Sequence, residues 1–176
     1  NLKVIRPCDM IETIESWEIA LETKSPTVLA LTRQGLPTFK RESYDKNMVN
    51  KGAYVIKNNF DYHASIFASG SEVEIAYETS KKLNQKNIKA NVISMPCMEL
   101  FDRESINYKN QILNKTKNIF IEAGTKQSWT KYIKQEDIYI GLDNFGLSGP
   151  GKDVYKHFQI TVDRVLIETM KVLNIK

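Results

Sequence analysis

At 176 residues the chain is long enough for one ordinary domain, or for a small domain with part of another attached. Its 41% apolar and 26% charged content is that of a soluble globular protein and excludes a disordered one. The formal charge of +4 is mild, and the densest basic stretch, Lys81 to Lys89, is interrupted by Leu83, Asn84, Gln85, Asn87 and Ile88. It reads as a solvated helix face and loop, so neither nucleic acid nor an anionic membrane is expected as a partner.

No run approaches the roughly 20 apolar residues needed to span a bilayer. The opening Asn1-Leu2-Lys3-Val4-Ile5 is neither a signal peptide nor an initiator context, and suggests a chain cut from a longer one. Leu2 to Arg6 is a short apolar strand closed by Pro7. Asp9 offers an N-cap with Glu12 three residues on, a variant of the capping box. Met10, Ile14, Trp17 and Leu21 recur at helical spacing, which predicts an amphipathic helix over 10–23. Pro26 breaks it, and Thr27 to Thr32 has the compact apolar character of a buried parallel strand. This βαβ unit has too few strands for a stable sheet of its own.

Residues 34–52 are polar and strandless and read as a linker. A second series follows, with strands expected at Gly52 to Lys57 and His63 to Ala68. Ser71 and Glu74 are spaced for a capping box on the next helix, with Val73, Ala76, Tyr77 and Leu83 facing inward. Further strands are expected at Ala90 to Met95, Asn118 to Ala123 and Ile138 to Leu142. A last helix is expected over 161–173, with Val162, Val165, Leu166 and Leu173 on one side. Alternating strands and helices predict an α/β protein: a three-layer α/β/α domain with a mostly parallel sheet, preceded by the βαβ remnant of a second α/β domain.

Few residues invite chemistry. His63 and His157 lie in unrelated elements without further ligands at metal spacing, so structural or surface roles are expected. Cys8 and Cys97 also lack metal spacing; they read as small buried hydrophobes in a cytoplasmic protein, with a disulfide left open by sequence alone. Gly146 to Lys152 fits the Gly-x-x-x-x-Gly-Lys part of a phosphate loop. However, Asp153 stands where a Ser or Thr should hold magnesium, and Pro150 removes an N–H from the cradle. A glycine-rich turn into a helix near Val154 to Phe158 is the better reading. Arg33 lies just past the carboxyl end of the Thr27 to Thr32 strand, the edge where α/β ligands gather, and its guanidinium suits phosphate. A salt bridge to a neighbouring carboxylate is an equal alternative at this point.

Read together, six stretches resemble the transketolase family. They are Val4-Ile5-Arg6-Pro7-Cys8-Asp9 with Glu12-Thr13 and Trp17; Thr32-Arg33-Gln34-Gly35-Leu36-Pro37; Ser69-Gly70-Ser71-Glu72-Val73; Val92 to Asp102; Ile121-Glu122-Ala123-Gly124; and Phe145 to Lys152. They follow the family's order and cover nearly the whole chain. Gly149 departs from the family's usual alanine, and Thr125 to Lys131 follows it only at Trp129 and Lys131.

The resemblance implies the end of a pyrimidine-binding domain at residues 1–36, a linker at 37–52 and a carboxy-terminal domain at 53–176. It implies a parent enzyme that uses thiamine diphosphate, with magnesium or calcium, to move a two-carbon glycolaldehyde unit from a ketose phosphate to an aldose phosphate. By the same resemblance Arg33 grips the substrate's terminal phosphate, and no catalytic, cofactor-binding or metal-binding residue falls in this stretch. The chain alone is then expected to be inactive. Its expected partners are the upstream domains, sugar phosphates and a second subunit of a homodimer. The alternative is a non-catalytic regulatory or dimerisation module, or one subunit of a split transketolase.

Overall fold

A computed structural model describes residues 1–41, 44, 46–113 and 116–175. Two strands, β1 (Lys3–Ile5) and β2 (Thr27–Leu29), pair in parallel with Val4 opposite Val28, joined by helix α1 (Met10–Glu22). The larger sheet holds β3 (Tyr54–Lys57), β4 (Ala64–Ala68), β5 (Ala90–Ser94), β6 (Lys117–Ile121) and β7 (Ile138–Ile140), in the order β3-β5-β4-β6-β7. All pairings in it are parallel except β3 with β5.

The pleat of the central strand explains the layering. Successive side chains point to opposite faces. Ile66 of β4 joins the core shared with Val73, Ala76 and Leu83 of α2 (Glu72–Gln85) and Val165 of α6 (Val162–Val172). Its neighbour Phe67 points the other way, onto Phe101 of α3 (Met98–Arg103), Ile112 of α4 (Ile106–Leu113), Phe120 and Trp129. Phe67 and Phe120 stack at 4.7 Å. The result is three layers, helices over both faces of a mostly parallel sheet. Helix α5 (Gly151–His157) precedes α6.

The structure departs from the sequence-based expectations in four places. Helix α1 turns its apolar stripe to solvent, the reverse of the usual placement of an amphipathic helix. Met10, Ile14, Trp17 and Leu21 are 53–79% exposed, while Glu12, Glu15, Ser16 and Ile19 face inward. The inward carboxylates are matched by donors from other elements, and this lets a polar face be buried. Strand β2 is three residues long, with β1 as its one strand partner among the described residues and with Val28 exposed on the sheet face. Ser71 does not close a capping box; its hydroxyl bonds Glu72 and the Tyr155 phenol instead. Finally, the segment expected as a linker packs its side chains: Phe39 joins the larger core and Arg41 is buried beneath α1. Helices α3 and α4 were not legible as separate elements, since six and eight residues carry too little periodic signal.

Candidate functional site

Arg33 lies in a bend just beyond the carboxyl end of β2, exposed, with no ion pair to any described residue. Among the described residues the salt-bridge alternative finds no partner, and the guanidinium faces solvent. The bend is tied locally: the backbone N–H of Gln34 donates to Thr32 Oγ1 at 3.3 Å, and the Thr32 hydroxyl bonds the Gln34 amide oxygen. Beside it is a cleft of about 270 Å³ between the start of α1 and this bend, reached by Asp9, Thr13, Thr32 and Gln34.

The floor of this region is a buried polar network that starts at the α1 N-terminus. Asp9 caps the helix, its Oδ1 accepting from the Glu12 N–H at 2.8 Å, and Glu12 Oε2 reaches back to the Cys8 N–H at 2.7 Å. That pair was legible as the capping-box variant. The other half was not: Glu12 Oε1 also accepts from Tyr54 Oη at 2.8 Å and Ser94 Oγ at 2.5 Å, both on the larger sheet. Burial raises the Glu12 carboxyl above the ordinary glutamate range, against the pull of these hydrogen bonds. Burial and the neighbouring Glu12 charge likewise raise the Cys8 thiol and the Tyr54 phenol. Arg41 completes the network with ion pairs to Glu15 at 2.8 Å and Asp9 at 3.3 Å. These groups hold one another, and the network fixes the start of α1 against the larger sheet.

A second cluster lies at the carboxyl edge of the larger sheet. Ser69 follows β4 and Glu122 follows β6, and the Ser69 hydroxyl donates to Glu122 Oε2 at 2.9 Å. Trp129 Nε1 donates to the same oxygen at 3.3 Å. The rule that singled out Arg33, a polar side chain just past a parallel strand, also points to Ser69 and Glu122.

The remaining residues of interest lie apart. His63 Nδ1 accepts from the Lys89 N–H at 3.1 Å, and His157 packs edge-on to Phe158. Gly146 to Pro150 is exposed coil running into α5, with Asp153 in the first helical turn. Cys8 and Cys97 are buried free thiols, Cys97 pushed up to about 12 chiefly by burial. Among the described residues no three or more His, Cys, Asp or Glu side chains gather as metal ligands. No helix among them is long and apolar enough to cross a membrane.

Residues 52–161 match the family model described as the transketolase-like TK C-terminal domain. The chain is 41% identical to a transketolase of Sinorhizobium medicae, over 99% of this chain and 26% of that protein. It superposes on a Pichia stipitis transketolase solved with sedoheptulose-7-phosphate, with a TM-score of 0.89 and 34% identity, covering 99% of this chain and 25% of the other. A split-gene transketolase, solved as an inactive beta4 tetramer, shares the fold at a TM-score of 0.81 and 22% identity, over 100% of this chain and 59% of that one. The chain spans about a quarter of the length of the curated relatives it matches.

Proposed function

The chain belongs to the transketolase family as a carboxy-terminal portion, and on that premise we propose that Arg33 supplies the substrate-phosphate contact of a complete transketolase. The observation that carries this reading is the exposed guanidinium beyond the carboxyl end of β2, with no ion-pair partner among the described residues. A permanently charged planar fork in that position suits the dianionic end of a sugar phosphate. The parent then transfers a two-carbon unit from a ketose phosphate to an aldose phosphate.

Thiamine diphosphate, with magnesium or calcium, would serve as the carbanion-stabilising group of that parent. The residues present here do not fit it. The family's Gly-Asp-Gly motif with its downstream Asn is missing from the sequence, and the buried carboxylates Asp9, Glu12 and Glu15 are already committed to internal partners. We therefore place the cofactor on other parts of the parent and derive no step through it.

The division into residues 1–36, 37–52 and 53–176 is our reading of where the pyrimidine-binding domain ends. The exposed apolar stripe of α1, with Val4 and Val28 on the open sheet, supports a covering by the upstream domains. A cytoplasmic homodimer is the assembly we propose. A split enzyme in which this chain contributes to one subunit is the second reading, suggested by the split-gene neighbour.

The test is an assay of the intact parent with a ketose phosphate donor and an aldose phosphate acceptor, alongside calorimetry of this chain with thiamine diphosphate and magnesium. Transfer by the parent and no heat of binding by the chain are expected. A folded, cofactor-loaded parent without transfer overturns the reading.

A further inference from the structure

Strand β4 sends its chain to α2 on one face of the larger sheet, while β6 sends its chain toward Trp129 on the other. Their carboxyl ends therefore diverge at a topological switch point, the place where open α/β sheets form ligand crevices. Such a crevice is present, about 300 Å³ in volume, with Ser69, Glu122, Gly124, Thr125 and Ser128 on its wall. That is the lower end of small-molecule sites, roughly 300–1,000 Å³.

One charged group enters it from outside the domain. Arg6, just past β1, sets one guanidinium nitrogen on Glu122 Oε1 and the other on Glu72 Oε2 at 3.0 Å. Both carboxylates are buried and further fixed, Glu122 by Ser69 and Trp129, Glu72 by Ser71 and the Tyr155 phenol. The backbone is prepared for the visitor as well. The Arg6 N–H donates to Pro96 O at 2.8 Å, and Arg6 O accepts from the Gly70 N–H at 3.0 Å. Gly70 has φ +55°, which turns that N–H toward residue 6 at the loop after β4.

We propose that this switch-point crevice is a guanidinium-binding site that Arg6 occupies in cis, docking the β1–α1–β2 unit on the five-stranded domain. Two pre-oriented carboxylates spaced for one planar fork select guanidinium over ammonium, which cannot present two parallel donors in that plane. The inference is independent of the transfer reaction and of Arg33.

The Gly70 amide reports the dock, because its acceptor is the carbonyl of residue 6. Arg6→Ala should raise its hydrogen-exchange rate about ten- to a hundredfold, the range expected for a lost charge-assisted contact. Guanidinium chloride at tens of millimolar, well below the molar range of denaturation, should slow that exchange again in Arg6→Ala. Sodium chloride or methylammonium chloride at the same concentration should not. Equal effects of all three salts overturn the proposal. If Arg6→Ala does not fold, Glu122→Gln decides on the otherwise intact chain: Gly70 exchange should quicken, and unchanged exchange there also overturns it.

Discussion

The Glu12 carboxylate accepts a 2.8 Å hydrogen bond from the Tyr54 phenol, joining the first turn of α1 to the edge strand of the larger sheet. Glu12 is fully buried, and three donors converge on it from Cys8, Tyr54 and Ser94. Glu12→Ala should cost on the order of 3–5 kcal/mol in urea unfolding, since all three donors lose their acceptor. Glu12→Gln should cost far less, because its carbonyl can serve Cys8 while the rotatable hydroxyls accept from its amide. Equal losses for the two variants would show that the oxygen network is not what matters.

The same group sets a pH dependence. Its folded-state pKa is raised, chiefly by burial, so the native protein holds the proton more tightly than the unfolded chain. Its contribution is then fully present below the unfolded glutamate value and declines as pH rises through the folded one. Relative to wild type, Glu12→Gln should gain stability steadily as pH is raised from about 4.3 toward neutrality. A flat difference across that range in paired unfolding curves would contradict the assignment.

Gly52 and Gly35 should respond very differently to alanine. Gly52 has φ +70°, and a Cβ there would lie 2.1 Å from the Phe101 nitrogen and 2.4 Å from the Cys97 carbonyl oxygen. Both are backbone atoms of a packed turn, so Gly52→Ala should lose roughly 3 kcal/mol or more. A Cβ on Gly35 meets nothing within 4 Å, and Gly35→Ala should leave the melting temperature within about 2 °C of wild type.

The two tryptophans offer an optical check on the reversed helix. Trp129 is fully buried and Trp17 is 53% exposed. Acrylamide should quench Trp17 readily in this chain, measured in a Trp129→Phe background, and Trp17→Gln should change stability by no more than about 0.5 kcal/mol. In the intact parent, protection of Trp17 is expected if upstream domains cover the stripe.

In the parent enzyme, Arg33→Ala should raise KM for phosphorylated sugars about ten- to a hundredfold and alter kcat little, as loss of a 1.5–3 kcal/mol charge-assisted contact requires. Steady-state kinetics with phosphorylated and unphosphorylated acceptors decide it. An unchanged KM for the phosphate esters removes Arg33 from the site.

Much of this architecture can be read from the chain itself. Dense apolar runs such as Ile66-Phe67 mark buried strands whichever way they pair, and Pro7, Pro26 and Pro96 punctuate them. The orientation of α1 cannot be read that way. Periodicity reveals two faces but not which one meets the rest of the molecule, and here the polar face is inward because Tyr54, Ser94 and Arg41 await it. Arg33 stands out in the sequence because it closes the apolar run Thr27 to Thr32, although the strand itself ends at Leu29. The Arg6 crevice was not, since the nearer of its carboxylate partners, Glu72, lies 66 residues along the chain.

The pinning of residues 37–41 bears on how the two parts of this chain are joined. With Phe39 set in the larger core and Arg41 clamped between Asp9 and Glu15, this stretch is a strut and not a hinge. The β1–α1–β2 unit and the five-stranded domain are thus braced against one another through this stretch, so that a change at Phe39 or Arg41 is felt on both sides of it.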